Sequence, residues 1–198
     1  MSKTLWQNPA ILLLTTFAFC TAAAAQNQPS PPNQPPQPAQ KKPAAKPDPT
    51  EQAVLLGQFG DWGAYKATPG GKKICFALSK PTTAVIQPPN RTRDPSYAFV
   101  STRPTEKVRN EVSVIIGYRQ KPGLDATAAI GSVSYAMQTL NDGAWIKNAA
   151  EEAQMVDAMR KGADLVVKSE SARGTKTSDT YSLKGLGEAL EKVAAECK

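Results

Sequence analysis

The chain contains no histidine. That absence removes Ser-His-Asp and Cys-His nucleophilic chemistry and every histidine-containing metal site. What remains for chemistry is carboxylates, cations, three cysteines and three tryptophans. Glu151 and Glu152 are adjacent carboxylates, the residue type that serves as acid and base in glycoside hydrolysis. Helical neighbours point about 100° apart, which disfavours joint action on one bond. A glycosidase therefore ranks last among the functions considered. Arg91, Arg93, Arg103, Lys107, Arg109, Arg119 and Lys121 form a basic segment spread over loops and strands. It is a candidate surface for an anionic ligand such as a phosphate-rich glycolipid, an acidic glycan or an acidic partner. The alternative is a solvated face paired locally with Asp94, Glu106 and Glu111. Ser171, Arg173, Gly174 and Thr175 resemble a polar turn that holds an anion, and a plain hairpin loop is the simpler reading. Asp61, Trp62 and Trp145 offer a sugar platform, against ordinary packing of tryptophan at strand ends. Gly185 and Gly187 lack the spacing of a phosphate loop. No metal or cofactor is expected.

The cysteines report on compartment. Lys3 and the apolar run Ala10 to Cys20 have the form of an export leader, and the run is too short to span a bilayer. Ala23-Ala24-Ala25 offers the small-residue cleavage signature, so residues 1–25 are read as a signal peptide. Cys20 would leave with it, since the bulky Phe19 before it argues against lipidation. The expected location is the periplasm or the outer membrane, with secretion as an alternative, and no transmembrane segment in the mature chain. Cys75 and Cys197 are then the two cysteines in an oxidising compartment, where pairing is the usual outcome. The loop they would close is long enough for the chain-entropy model to give roughly 4–5 kcal/mol.

The elements that must hold these residues follow from composition and period. Residues 26–52 carry nine prolines and no large apolar side chain. They are read as a disordered proline-rich linker. Residues 53–198 form the domain, with 20 Lys and Arg against 15 Asp and Glu. This excess favours anionic surfaces without selecting one. No basic block with interleaved aromatics is present, so a nucleic-acid role is not expected. A hairpin is expected over 59–66 and 72–79, around Pro69-Gly70-Gly71. Within it Cys75 faces away from Ile74, Phe76 and Leu78. Residues 81–95 read as a loop, 97–102 and 111–118 as strands, and 128–140 as one strand with a bulge at Gly131. Asn148 caps a helix near 148–161, with Glu151 in capping-box register and Gly162 as its stop. Further strands are expected at 164–169 and 180–183, separated by a polar turn over 171–178. Leu183, Leu186, Leu190, Val193 and Cys197 recur at helical spacing in a C-terminal helix near 184–197. Eight or nine strands and two helices make a mostly β fold, an antiparallel β-sandwich-like domain.

Four segments together resemble the invasion-associated locus B family, small exported proteins of α-proteobacteria. They are Gly60-Asp61-Trp62, KKICFALSKP at 72–81, AAEEAQMVDAMRKGADLVV at 149–167 and RGTKTSDTYSLKGLGEAL at 173–190. The resemblance spans Phe59 to the C-terminus. It implies an envelope-associated β-rich domain without established catalytic activity, and in some pathogenic members a role in entering host cells. The proline-rich linker is not a feature of all members. The function expected on this basis is non-enzymatic contact with a protein or envelope partner of unknown identity. A binding module for an anionic envelope component is the alternative.

Overall fold

The structure, a computed structural model, describes residues 48–50 and 52–198. The leader and most of the linker read from the sequence lie outside the described residues. The described residues form eleven strands, β1 (Val54–Phe59), β2 (Trp62–Ala67), β3 (Ile74–Ser79), β4 (Thr83–Gln87), β5 (Tyr97–Arg103), β6 (Val108–Ile115), β7 (Ala126–Ile130), β8 (Val133–Leu140), β9 (Gly143–Trp145), β10 (Asp164–Glu170) and β11 (Lys176–Ser182). Among the described residues there are also two α-helices, α1 (Ala149–Lys161) and α2 (Leu186–Glu196). The fold is mostly β, as the sequence implies.

All eleven strands join one antiparallel sheet in the order β1-β2-β3-β5-β6-β9-β8-β7-β10-β11-β4. β8 belongs to both arms of this sheet. It pairs with β7 from Val133 to Met137 and with β9 from Gln138 to Leu140. The arms then share one core. Val100, Val112 and Val114 come from one arm, Leu165, Val167 and Tyr181 from the other, and Met155, Met159, Leu186 and Leu190 from the helices. These strands contribute alternate residues, as the two-residue period of a pleated strand requires. Contacts across the arms close the sheet on itself. The Trp62 indole donates to the Ser182 carbonyl at 2.9 Å, and the Asp61 amide donates to the Lys184 carbonyl at 3.0 Å. This gives the sandwich-like character. Gly185 permits the approach, because a Cβ there would lie 2.0 Å from the Phe59 carbonyl oxygen.

Cys75 sits on the core face of β3 while Phe76 and Leu78 form a separate cluster on its outer face. α2 packs over β1, β2 and β3 with Leu186, Leu190 and Val193 buried. Cys197 caps its C-terminus and is bonded to Cys75, with S–S 2.02 Å and Cα atoms 5.9 Å apart. The expected pairing is thus present. Asn148 caps α1 by accepting from the Ala150 amide at 2.9 Å.

Several boundaries differ from the sequence reading. β1 and β4 were not expected. β1 is a sheet edge with Val54 and Leu55 exposed, and β4 is the other edge, almost wholly exposed. Edge strands carry little of the core alternation that marks a strand in sequence. Residues 128–140 are a hairpin rather than one bulged strand, with Gly131 in the left-handed region at φ 57°. The 171–178 turn is shorter than expected, because β11 begins at Lys176. Gly162 ends α1 without a left-handed conformation. Its lack of a side chain matters for packing, since a Cβ would lie 2.6 Å from Ile130 Cγ2. Asp48, placed in the linker by composition, is seated on the domain. Its carboxylate accepts from Thr50 and from the Tyr97 hydroxyl, and these bonds hold it below the usual carboxylate range.

Candidate functional site

In β11 the inward positions are Thr177, Asp179 and Tyr181, all buried. An aspartate at a core position needs a partner, because an unpaired buried charge is strongly disfavoured. Arg93 supplies it from the loop before β5. Its guanidinium forks onto both Asp179 oxygens, one at 2.7 Å, and also donates to the Ile116 carbonyl at 2.6 Å. The side chains of Arg93 and Asp179 are 8% and 0% exposed, which separates this pair from the surface ion pairs of the molecule. The Ser96 hydroxyl lies 3.0 Å from Asp179 Oδ2, 2.9 Å from the Ile115 carbonyl and 2.5 Å from the Tyr181 hydroxyl. Burial raises the Tyr181 pKa far above its ordinary value, so its proton stays on.

Above this pair three loops meet. The Asp94 amide donates to the Gly117 carbonyl at 2.9 Å, and the Ala172 amide donates to the Arg119 carbonyl at 3.1 Å. Gly117 is required where it stands. It has φ 86°, and a Cβ would lie 2.1 Å from the Asp94 carbonyl oxygen. The loops enclose a cleft of about 620 Å³. Arg91, Arg119 and Arg173 line it, one from each loop, with Arg93 in its wall. All three are exposed, and none has a carboxylate partner among the described residues. Asp94 and the half-buried Tyr118 line the same cleft.

Two groups of sequence candidates therefore converge, the basic segment and the 171–175 turn. The turn does not act through its backbone, however. The Ser171 hydroxyl accepts from the amides of Arg173 at 3.2 Å and Thr175 at 2.9 Å, which leaves them occupied. Only the Arg173 side chain faces the cleft as a cation.

The rest of the basic segment is elsewhere. Arg103 forks onto Glu111 at 2.9 and 2.7 Å and meets Glu106 at 2.7 Å. It lies with Lys107 and Arg109 at the far end of β5 and β6, roughly 20–25 Å from the cleft at ~3.3 Å per strand residue. Lys121 is paired with Glu170 at 2.9 Å, and that contact holds the Glu170 carboxyl below its usual range. The seven cations are thus not one surface, because an eight-residue strand separates their halves. Trp62 is fully buried in the core, so it forms no platform with Trp145. Glu151 and Glu152 also diverge. Glu151 is exposed and makes no capping contact, whereas Glu152 accepts from the Val112 amide at 2.8 Å, and burial raises its carboxyl. A second groove of about 580 Å³ lies beside Val85 and Leu124, where Lys168 and Lys176 are mixed with Asp125 and Glu170. Its charges balance, and it offers no concentrated field.

Residues 67–194 match the family model described as invasion associated locus B (IalB) protein. The chain belongs to the invasion associated locus B family. The matched region holds the whole arginine cleft and Cys75, while Cys197 lies just beyond it. Comparisons with curated proteins and with solved structures found no match. Among the described residues of this IalB chain, no three His, Cys, Asp or Glu side chains are grouped to hold a metal ion, and no helix is long and apolar enough to cross a membrane.

The sequence reading missed Asp179 and Ser96. The signal was available in the alternation of Thr177, Asp179 and Tyr181, obscured because 171–178 reads as a polar turn.

Proposed function

We propose that this member of the IalB family is an exported, non-enzymatic protein that works by binding an anionic component of the cell envelope through the arginine cleft. The observation that carries this reading is the convergence of Arg91, Arg119 and Arg173 on one cleft without carboxylate partners among the described residues. Guanidiniums left unpaired inside a concave site raise the local concentration of anions and present forked donors to carboxylate or phosphate. The leader read over residues 1–25 supports a periplasmic or outer-membrane-associated location. A role in entry into host cells is consistent with the family description and would act through the same contacts.

The test is co-sedimentation of the purified protein with phosphatidylglycerol vesicles over a salt series. Binding should fall steeply as the Debye length drops from about 10 Å at 0.1 M salt to about 3 Å at 1 M. Arg91→Glu combined with Arg119→Glu should abolish it. Arg93 is unsuitable for this purpose because its loss would unpair Asp179. Binding that ignores both salt and the double substitution would refute the reading and favour contact through an apolar surface.

A further inference from the structure

We infer that the cleft is built for a phosphorylated sugar rather than for anions in general. This rests on the reading of the cleft as an anion site and narrows it. Two features make the narrowing. The first is the number and type of cations. Three guanidiniums offer more forked donors than the two oxygens of one carboxylate can accept, whereas a phosphate monoester presents three terminal oxygens. Their charge, reduced by that of Asp94, is about +2 and matches the −1.5 to −2 of a monoester near neutral pH. Arg93 adds nothing to this balance because Asp179 neutralises it.

The second feature is Asp94 itself. A carboxylate in the wall of an anion site weakens the site for a bare anion, and the side chain of this one makes no ion pair or hydrogen bond among the described residues. It suits a ligand that also brings hydroxyl donors. Tyr118 stands in the same wall, and its hydroxyl is fixed to Thr177 Oγ1 at 2.7 Å. Its ring is thereby held in place as an apolar surface for the C–H face of a pyranose. The volume of about 620 Å³ is in the range of sites that enclose small organic ligands, and a lone phosphate would leave most of it empty. The backbone amides of the 171–175 turn are taken by Ser171, so specificity falls to these side chains.

The experiment is calorimetric titration of the full chain, at fixed ionic strength, with glucose 1-phosphate, inorganic phosphate, glucuronate and glucose. Glucose 1-phosphate should bind at least about tenfold tighter than the other three, the effect of one additional charge-assisted hydrogen bond. Asp94→Asn should bring glucose 1-phosphate and inorganic phosphate to similar affinities. Arg119→Gln and Arg173→Gln should each weaken both phosphates about tenfold, and their far-UV spectra and urea midpoints should match the parent. A competition arm uses phosphatidylcholine vesicles doped with a phosphorylated glucosamine lipid. Displacement of the protein by glucose 1-phosphate assigns the headgroup as the ligand, and binding of the soluble sugar phosphate without vesicle binding assigns a free sugar phosphate. Equal affinity for inorganic phosphate and glucose 1-phosphate, or preference for glucuronate, overturns the inference while salt-sensitive vesicle binding keeps the anion reading. Loss of binding to every anion and vesicle overturns both.

Discussion

At one end of β5, Thr102 lies opposite Cys75, and the chain is closed covalently by the bond to Cys197. At the other end, before Tyr97, three loops are held by hydrogen bonds and one buried ion pair. The ends also differ in charge. Around the clasp Lys66 and Lys73 meet Glu196, Lys72 meets Glu106, and Arg103 meets Glu106 and Glu111. Around the cleft Arg91, Arg119 and Arg173 have no such partners among the described residues. Most cations at the clasp end are paired within the chain, with Lys107 and Arg109 the exceptions among the described residues. Charges left unsatisfied together in a concave site are available to something outside it. On the proposed reading, the domain separates closure from anion binding along the length of one strand.

The sharpest way to break this separation is to remove the clasp. Cys75→Ala with Cys197→Ala should cost up to about 5 kcal/mol in urea unfolding, since the bond closes a loop of 122 residues. The parent should also be two mass units lighter than its reduced form. At a temperature where the variant remains folded, its affinity for the anion probe should stay within about twofold of the parent, well below one hydrogen bond in free energy. A large loss of affinity in the folded variant would mean that the ends are coupled through the sheet.

The next effect lies at the cleft end. Asp179→Ala should cost about 3–5 kcal/mol, because it leaves the Arg93 guanidinium buried without a counter-charge. Arg93→Met with Asp179→Leu should cost clearly less, since no charge is left unpaired. Urea midpoints of the two variants decide between them. Similar losses would show that the pair contributes through packing and not through charge. The comparison is useful because Arg93 stands in the wall of the cleft while Asp179, behind it, cancels its charge.

How much of this was legible depended on burial on one face. The α2 stripe from Leu183 to Cys197 and the strand residues Val112, Val114 and Ile116 were readable because each alternates or repeats against a single core. The Cys75–Cys197 pairing followed from the same patterns plus the count of cysteines. β1 and β4 were not readable, since an edge strand with an exposed face carries no such contrast. The cleft was half legible. Composition marked Arg91, Arg119 and Arg173 as cations, but nothing local tells which cations will meet. That is decided by Gly117, which lets the 90–95 loop approach, and by the Arg119 to Ala172 backbone bond. Pairing removed Arg93, Arg103 and Lys121 from the set, and pairing is a property of tertiary neighbours.

The smallest expected effect tests whether the clasp's ion pairs serve closure at all. Lys73 and Lys66 both donate to Glu196, which lowers its carboxyl below the ordinary value of 4.5. A carboxyl lowered in the folded state adds stability above its unfolded pKa and loses it as pH falls through the folded value. The stability difference between the parent and Glu196→Gln should therefore be constant from pH 7 to about 5.5 and shrink from about 4.5 downward. The difference should also decrease with added salt, because Lys66 and Lys73 are exposed and screened. A difference that persists undiminished at pH 3 would assign the role of Glu196 to a property of its side chain other than charge, since the backbone carbonyl that accepts from Lys73 at 2.6 Å is the same in both proteins. Either result leaves the disulfide as the main closure, since an exposed pair cannot replace a bond that restricts the unfolded chain.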